Sequence, residues 1–169
     1  MLRRHIGWRS PATREEGSVP NYWIIVGSPD NLEKTKELGF SIQGMKTRQI
    51  RKAERMEAGD QFVWYITGDQ AFAGYATITG ASFEDHDPIW SSGKKKDEDY
   101  PWRVPIGKAV SLPREGWVPA EGLARKLTYV QKWPAEHWRL AFQGNVHEIS
   151  GSDFEILRSE IDKAASQAA

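Results

Sequence analysis

The side chains with the most chemical potential in this sequence are indoles and cations. Eight tryptophans occur in 169 residues, and indole is the best stacking surface for a flat heterocycle and the best face for a cation. Trp23 and Trp64 lie in apolar runs and read as core. Trp90 differs, because it stands among Asp, Pro, Ser, Gly and Lys, where packing gives little reason for an indole. It is expected to touch a ligand. The cations concentrate between Lys46 and Arg55, where Lys46, Arg48, Arg51, Lys52 and Arg55 face a single acid, Glu54. In a helix, positions 48, 52 and 55 share one face. Lys94, Lys95 and Lys96 form a second cluster just after Trp90. Aromatic surface beside clustered lysine and arginine points to a nucleic acid, with Arg48, Arg51, Lys52, Arg55, Lys94 and Lys95 as the candidate phosphate contacts.

Catalysis has less to work with. His86 sits between Asp85 and Asp87, and His137, His147 and Lys46 complete the candidates; one histidine in a polar loop is ordinarily solvated. The sequence holds no glycine-flanked serine elbow, no paired-histidine helix and no Walker-type phosphate loop. With no cysteine, thiolate chemistry and disulfides are excluded, and a reducing cytoplasm is the expected setting. No catalytic residue, metal or cofactor is therefore expected. The 23 basic and 23 acidic residues cancel, so any attraction to nucleic acid comes from a local patch. No stretch approaches the ~20 apolar residues of a membrane span, so a soluble chain without a membrane partner is expected, with a monomer favoured.

The elements that position these residues read as follows. Residues 1–20, with Arg3, Arg4, Arg9 and Arg14 among Ser, Pro and Gly, read as a flexible basic arm, and residues 21–165 as one globular domain. Tyr22 to Val26 is a β-rich core strand. Ser28 before Pro29 starts a short helix that ends before Gly39. A second helix is expected over residues 47–58, then a strand at 61–67, a turn at Gly68-Asp69 and a bent strand at 71–79. Residues 81–100 form a long polar excursion of the functional kind. Pro101 and Pro105 place the strand at 101–110 at an edge or a strand start. Short helices follow at 119–127 and 134–142, and Ser152 with Glu155 forms a capping box for a terminal helix. Helices at the connections of a small, curved mixed sheet make an α+β fold.

The ordered set Tyr22-Trp23-Ile24, Ser28-Pro29, Gly44-Met45-Lys46, Gly59-Asp60, Tyr65, Gly74-Tyr75, Asp85, Tyr100-Pro101-Trp102-Arg103-Val104 and Phe154-Glu155 resembles the EVE domain of the PUA-like superfamily. The resemblance implies a PUA-like small mixed β-barrel related to the YTH and ASCH domains. It implies a non-catalytic reader that takes a single flipped, modified base, in RNA or DNA, into an aromatic pocket. Gly27 and Ser28 would form one wall, Gly44, Met45 and Lys46 another, with Trp90 stacking from the long loop. Gln43 stands where relatives often carry a tryptophan, so its amide could bond a base edge while Phe40, Tyr65 or Trp102 supplies the second ring. A small hydrolase of the ASCH type and a structural or protein-binding module are the alternatives.

Overall fold

The computed structural model describes residues 18–168. The arm expected over residues 1–20 lies, through residue 17, outside the described residues. Alternation along two central strands explains the architecture. In β1 (Tyr22–Gly27) and β3 (Gln61–Ile66), which pair in parallel, successive side chains enter different clusters. Trp23, Ile25, Phe62, Trp64 and Ile66 go to one, while Ile24, Val26, Val63 and Tyr65 go to the other. The sheet is apolar on both faces, and both must be covered.

The sheet order is β2-β6-β4-β3-β1-β8, with β2 Ile42–Met45, β4 Ala71–Ile78, β6 Trp102–Ser111 and β8 Val146–Ile149. Short β5 (Phe83–Glu84) pairs with β6, and β7 (Val118–Pro119) with β4. Apart from β1 and β3, the neighbours are antiparallel. The result is a curled mixed sheet forming a half-barrel. One face is covered by α3 (Gly151–Ala168) and by 3-10 segments; Phe154, Leu157 and Ile161 of α3 are fully or almost fully buried there. On the other face Ala53 and Met56, in and just after α2 (Ile50–Arg55), pack with Met45, Val104 and Ile106.

Several boundaries differ from the sequence expectation. The first helix, α1 (Pro29–Glu37), starts as read: Ser28 Oγ accepts from the Asn31 N–H at 3.1 Å. The second is shorter, a 3-10 turn at Thr47–Gln49 followed by α2, because Met56 is already extended. Strand β6 is interior, between β2 and β4, and not an edge. Pro105 is tolerated because β6 changes partner there: residues 102–105 pair with β2 and residues 106–111 with β4. The expected helices at 119–127 and 134–142 are 3-10 segments, Ala124–Lys126 and Ala135–Phe142, the latter broken at His137. The cap of α3 is Ser150, whose Oγ accepts from the Asp153 N–H at 3.1 Å, so the helix begins before the expected Ser152.

Candidate functional site

A cleft of about 710 Å³ opens where β1 ends and α1 begins, within the ~300–1,000 Å³ of ordinary ligand sites. Gly27 and Ser28 form one side, Lys46 another, and Ser91, Ser92, Gly93 and Lys94 of the long loop a third. Gln143, Gly144 and Asn145 close it from the segment before β8. Its charged lining residues among the described residues are Lys46, Lys94 and Arg139, with no carboxylate.

Buried polar groups fix this geometry. Asn145 Nδ2 donates to the Val26 carbonyl at 2.9 Å, and its Oδ1 accepts from the Lys46 N–H at 2.8 Å. The Asn145 carbonyl accepts from the Val26 N–H at 2.8 Å. One asparagine thus joins the ends of β1 and β2 beneath the cleft. Asn31 does the same for the loop wall, donating to the Ser91 carbonyl at 2.9 Å and accepting from its N–H at 3.1 Å. At the rim, Arg139 Nε donates to Gln70 Oε1 at 2.9 Å, and its guanidinium lies 4.6 Å from the Trp138 ring centre.

The structure brings Gly27, Ser28, Lys46 and Tyr65 to this cleft and leaves Gln43, Gly44, Met45, Trp90 and Trp102 out of its lining. Trp90 is 3% exposed, and its Nε1–H donates to Thr35 Oγ1 at 2.9 Å. The polar loop around it hides a core residue: Gly44 lies against the indole so closely that a Cβ there would overlap the ring. Gln43 Oε1 accepts from Trp64 Nε1 at 2.8 Å inside the half-barrel, which occupies the amide. Met45 is fully buried, and Trp102 donates to the Thr47 carbonyl at 2.8 Å. The aromatic cage expected from the sequence is therefore not assembled. Tyr65 and Phe142 reach the cleft but stack on each other at 4.3 Å, and Tyr100 is almost fully buried. Burial raises the phenol pKa of both tyrosines, keeping them neutral.

Among the candidate phosphate contacts, Lys52 and Arg55 are held by β8. Lys52 Nζ donates to the Val146 carbonyl at 2.6 Å, and burial lowers its pKa. Arg55 binds both oxygens of Glu148 at 2.9 and 3.1 Å. Arg48 and Arg51 are exposed, as are Lys94 and Lys95. His86 lies outside the cleft lining, with Nε2 2.8 Å from Glu84 and Nδ1 2.7 Å from Asp99; those two carboxylates raise its pKa. His147 is buried beneath Gly144, and desolvation, then the Lys52 charge, lowers its pKa to about 4.

Two structural linchpins lie outside the candidate site residues, although Arg103 stands in the set that resembles the EVE domain. Arg103 is 0% exposed; Nε donates to the Tyr100 carbonyl at 3.0 Å, and Nη2 to those of Asp87 at 2.6 Å and Asp99 at 3.1 Å. Its guanidinium also lies 5.0 Å from the Trp90 ring centre. Asn145, which ties β1 to β2 beneath the cleft, is not among the candidate residues read from the sequence.

Residues 21–159 match the model of the EVE domain. No curated protein matches the sequence. Among solved structures, the YTH domain-containing protein mmi1 in complex with RNA superposes with a TM-score of 0.60 at 13% identity, over 94% of this chain and 92% of that one. The YTH domain of Zygosaccharomyces rouxii MRB1, in complex with N6-methyladenosine RNA, gives 0.58 at 14% identity over 90% and 95%. A protein from Pseudomonas putida gives 0.55 at 18% identity over 83% and 99%. At these identities the likeness is one of fold.

Proposed function

The chain belongs to the EVE domain family, and from that premise we propose that it is a non-catalytic nucleic-acid reader that takes one unpaired or flipped, modified base into the cleft beside Ser28 and Lys46. The observation that carries the reading is the cleft itself, large enough for a nucleotide and lined, among the described residues, by Lys46, Lys94 and Arg139 without a carboxylate. Such a lining favours a polyanion. Gly27, Ser28, Lys46 and Tyr65 would meet the nucleotide, and the exposed Arg48, Arg51, Lys94 and Lys95 would meet the flanking phosphates. The fold relatives named above include domains in complex with RNA and with N6-methyladenosine RNA, which motivates a modified base as ligand class.

Energetics sharpen the reading. Burying one methyl group contributes about 0.8 kcal/mol, roughly a fourfold preference. Extracting a paired base costs a few kcal/mol. Without a cage of open ring faces, methyl recognition cannot offset that cost. Affinity would instead come from phosphate contacts and from hydrogen bonds to the base edge, so single strands bind better than duplexes and modification adds a several-fold preference. Filter binding with matched single-stranded and duplex oligonucleotides, with and without N6-methyladenine or 5-methylcytosine, tests this. Tighter duplex binding that is indifferent to modification refutes it.

A further inference from the structure

Seven tryptophans fall within the described residues, and what their indole N–H groups do separates them. Trp23 donates to Asp60, Trp64 to Gln43, Trp90 to Thr35, Trp102 to the Thr47 carbonyl and Trp117 to the Leu112 carbonyl. Trp133 and Trp138 have no such partner among the described residues, and their nitrogens are not sealed from solvent. Both line one cavity of about 320 Å³, with Arg125, Val130, Gln131 and Ala135. A cavity lined by the two tryptophans whose indole donors are unengaged, together with an arginine, offers what a flat, hydrogen-bond-accepting, anionic ligand requires.

This cavity shares a wall with the main cleft. The 3-10 segment Ala135–Phe142 sends Trp138 to the cavity and the next residue, Arg139, with Phe142, to the cleft. The Trp138 and Phe142 rings, one lining each space, meet edge to face at 6.2 Å. The surroundings are mostly cationic: Lys132 Nζ lies 5.1 Å from the Tyr129 ring centre, Tyr129 packs on Trp133 at 5.6 Å, and Glu136 is the acid in this stretch.

We infer that the Trp133–Trp138 cavity is a second subsite, which takes the base adjoining the one in the main cleft on the same single strand. Trp133 supplies a stacking surface and an N–H donor for the base edge, and Arg125 meets the intervening phosphate. The inference rests on the reading of the main cleft as a nucleotide site. It adds that recognition extends over at least two consecutive nucleotides.

The test compares nucleoside monophosphates, including N6-methyl-AMP, with mixed-sequence single-stranded pentanucleotides by calorimetry on the full chain. Trp133→Leu is expected to weaken pentanucleotide binding roughly 5- to 150-fold, the weight of one stacked base at about 1–3 kcal/mol, and to leave mononucleotide binding unchanged. Arg125→Gln, at an exposed position that leaves folding intact, weakens the pentanucleotide alone and lowers its salt slope by about one. Should Trp133→Leu fail to fold, Trp133→Phe, which keeps a ring and loses the N–H, and Arg125→Gln carry the test. Unchanged pentanucleotide affinity in the folded variants overturns the inference while the main cleft stands, and so does an equal loss for both ligand lengths. If the wild-type chain binds neither ligand, the main reading fails, and the second subsite falls with it.

Discussion

His147 should make the protein acid-sensitive in a way that one substitution can isolate. The residue is 8% exposed, its Nδ1 lies 2.8 Å from the Tyr129 hydroxyl, and its buried Nε2 makes no well-formed hydrogen bond among the described residues. Burial, with Lys52 nearby, lowers its pKa from the ordinary 6.5 to about 4. The folded state therefore prefers the neutral ring. Because the folded pKa is depressed, this group's full contribution to stability is present above pH 6.5 and is lost as pH falls toward 4. The complete difference corresponds to about 3 kcal/mol, of which about 2.5 kcal/mol is lost by pH 4.5. His147→Gln cannot take up the proton and can still accept from Tyr129. Urea unfolding followed by tryptophan fluorescence at pH 7.5, 5.5 and 4.5, at fixed ionic strength, gives the stability of both proteins. The variant is expected to be the less stable at pH 7.5, and the gap should close or invert by about 2.5 kcal/mol at pH 4.5. His86 titrates the opposite way, since its raised pKa gives a contribution present below 6.5 and lost as pH rises through the folded value. It is common to both proteins and cancels. A gap that stays constant across the three pH values refutes the burial argument.

Other outcomes follow from the same geometry. Arg103→Met removes a buried guanidinium from the carbonyls of Asp87, Asp99 and Tyr100 and should cost about 3–5 kcal/mol in chemical denaturation. Iodide should fail to quench Trp90 when compared with a Trp90→Phe control, and Trp90→Ala should lose about 3–5 kcal/mol of stability. Gly44→Ala drives a methyl into the Trp90 ring and should lower Tm by the equivalent of about 1–3 kcal/mol. Lys46→Gln and Arg139→Gln should each reduce the salt slope of oligonucleotide binding by about one, whereas Arg55→Gln, whose partner is Glu148, should change it less.

The sequence carried the fold further than the site. Strands β1, β3 and β4 were legible because their apolar residues alternate or run together between glycine turns, and α1 because Ser28-Pro29 is a capping pair whose hydrogen bond forms as read. Strand β6 starts directly after Pro101, as the strand-start reading has it, but it is interior and not an edge, because the proline rule is local, whereas the partner change at Pro105 depends on where β4 and β2 end. The site was half legible. Ser28 and Lys46 adjoin recognisable turns, but Asn145, Arg139 and Gln143 arrive from far along the chain, and no spacing rule connects them to β1. Trp90 misled for a physical reason: a polar neighbourhood in sequence does not exclude burial when Thr35 and Gly44 wait across the fold to receive the indole. Arg103, charged and fully buried, contradicts the usual partition of charge to the surface.

The guanidinium of Arg103 has a bearing on how a ligand would enter. Because it pins both flanks of the 85–100 segment from within β6, that side of the cleft is a fixed jamb and not a door. For the strand proposed above, entry would then demand little rearrangement, association would proceed at the pace of encounter and charge steering, and selectivity would show in how long the strand stays.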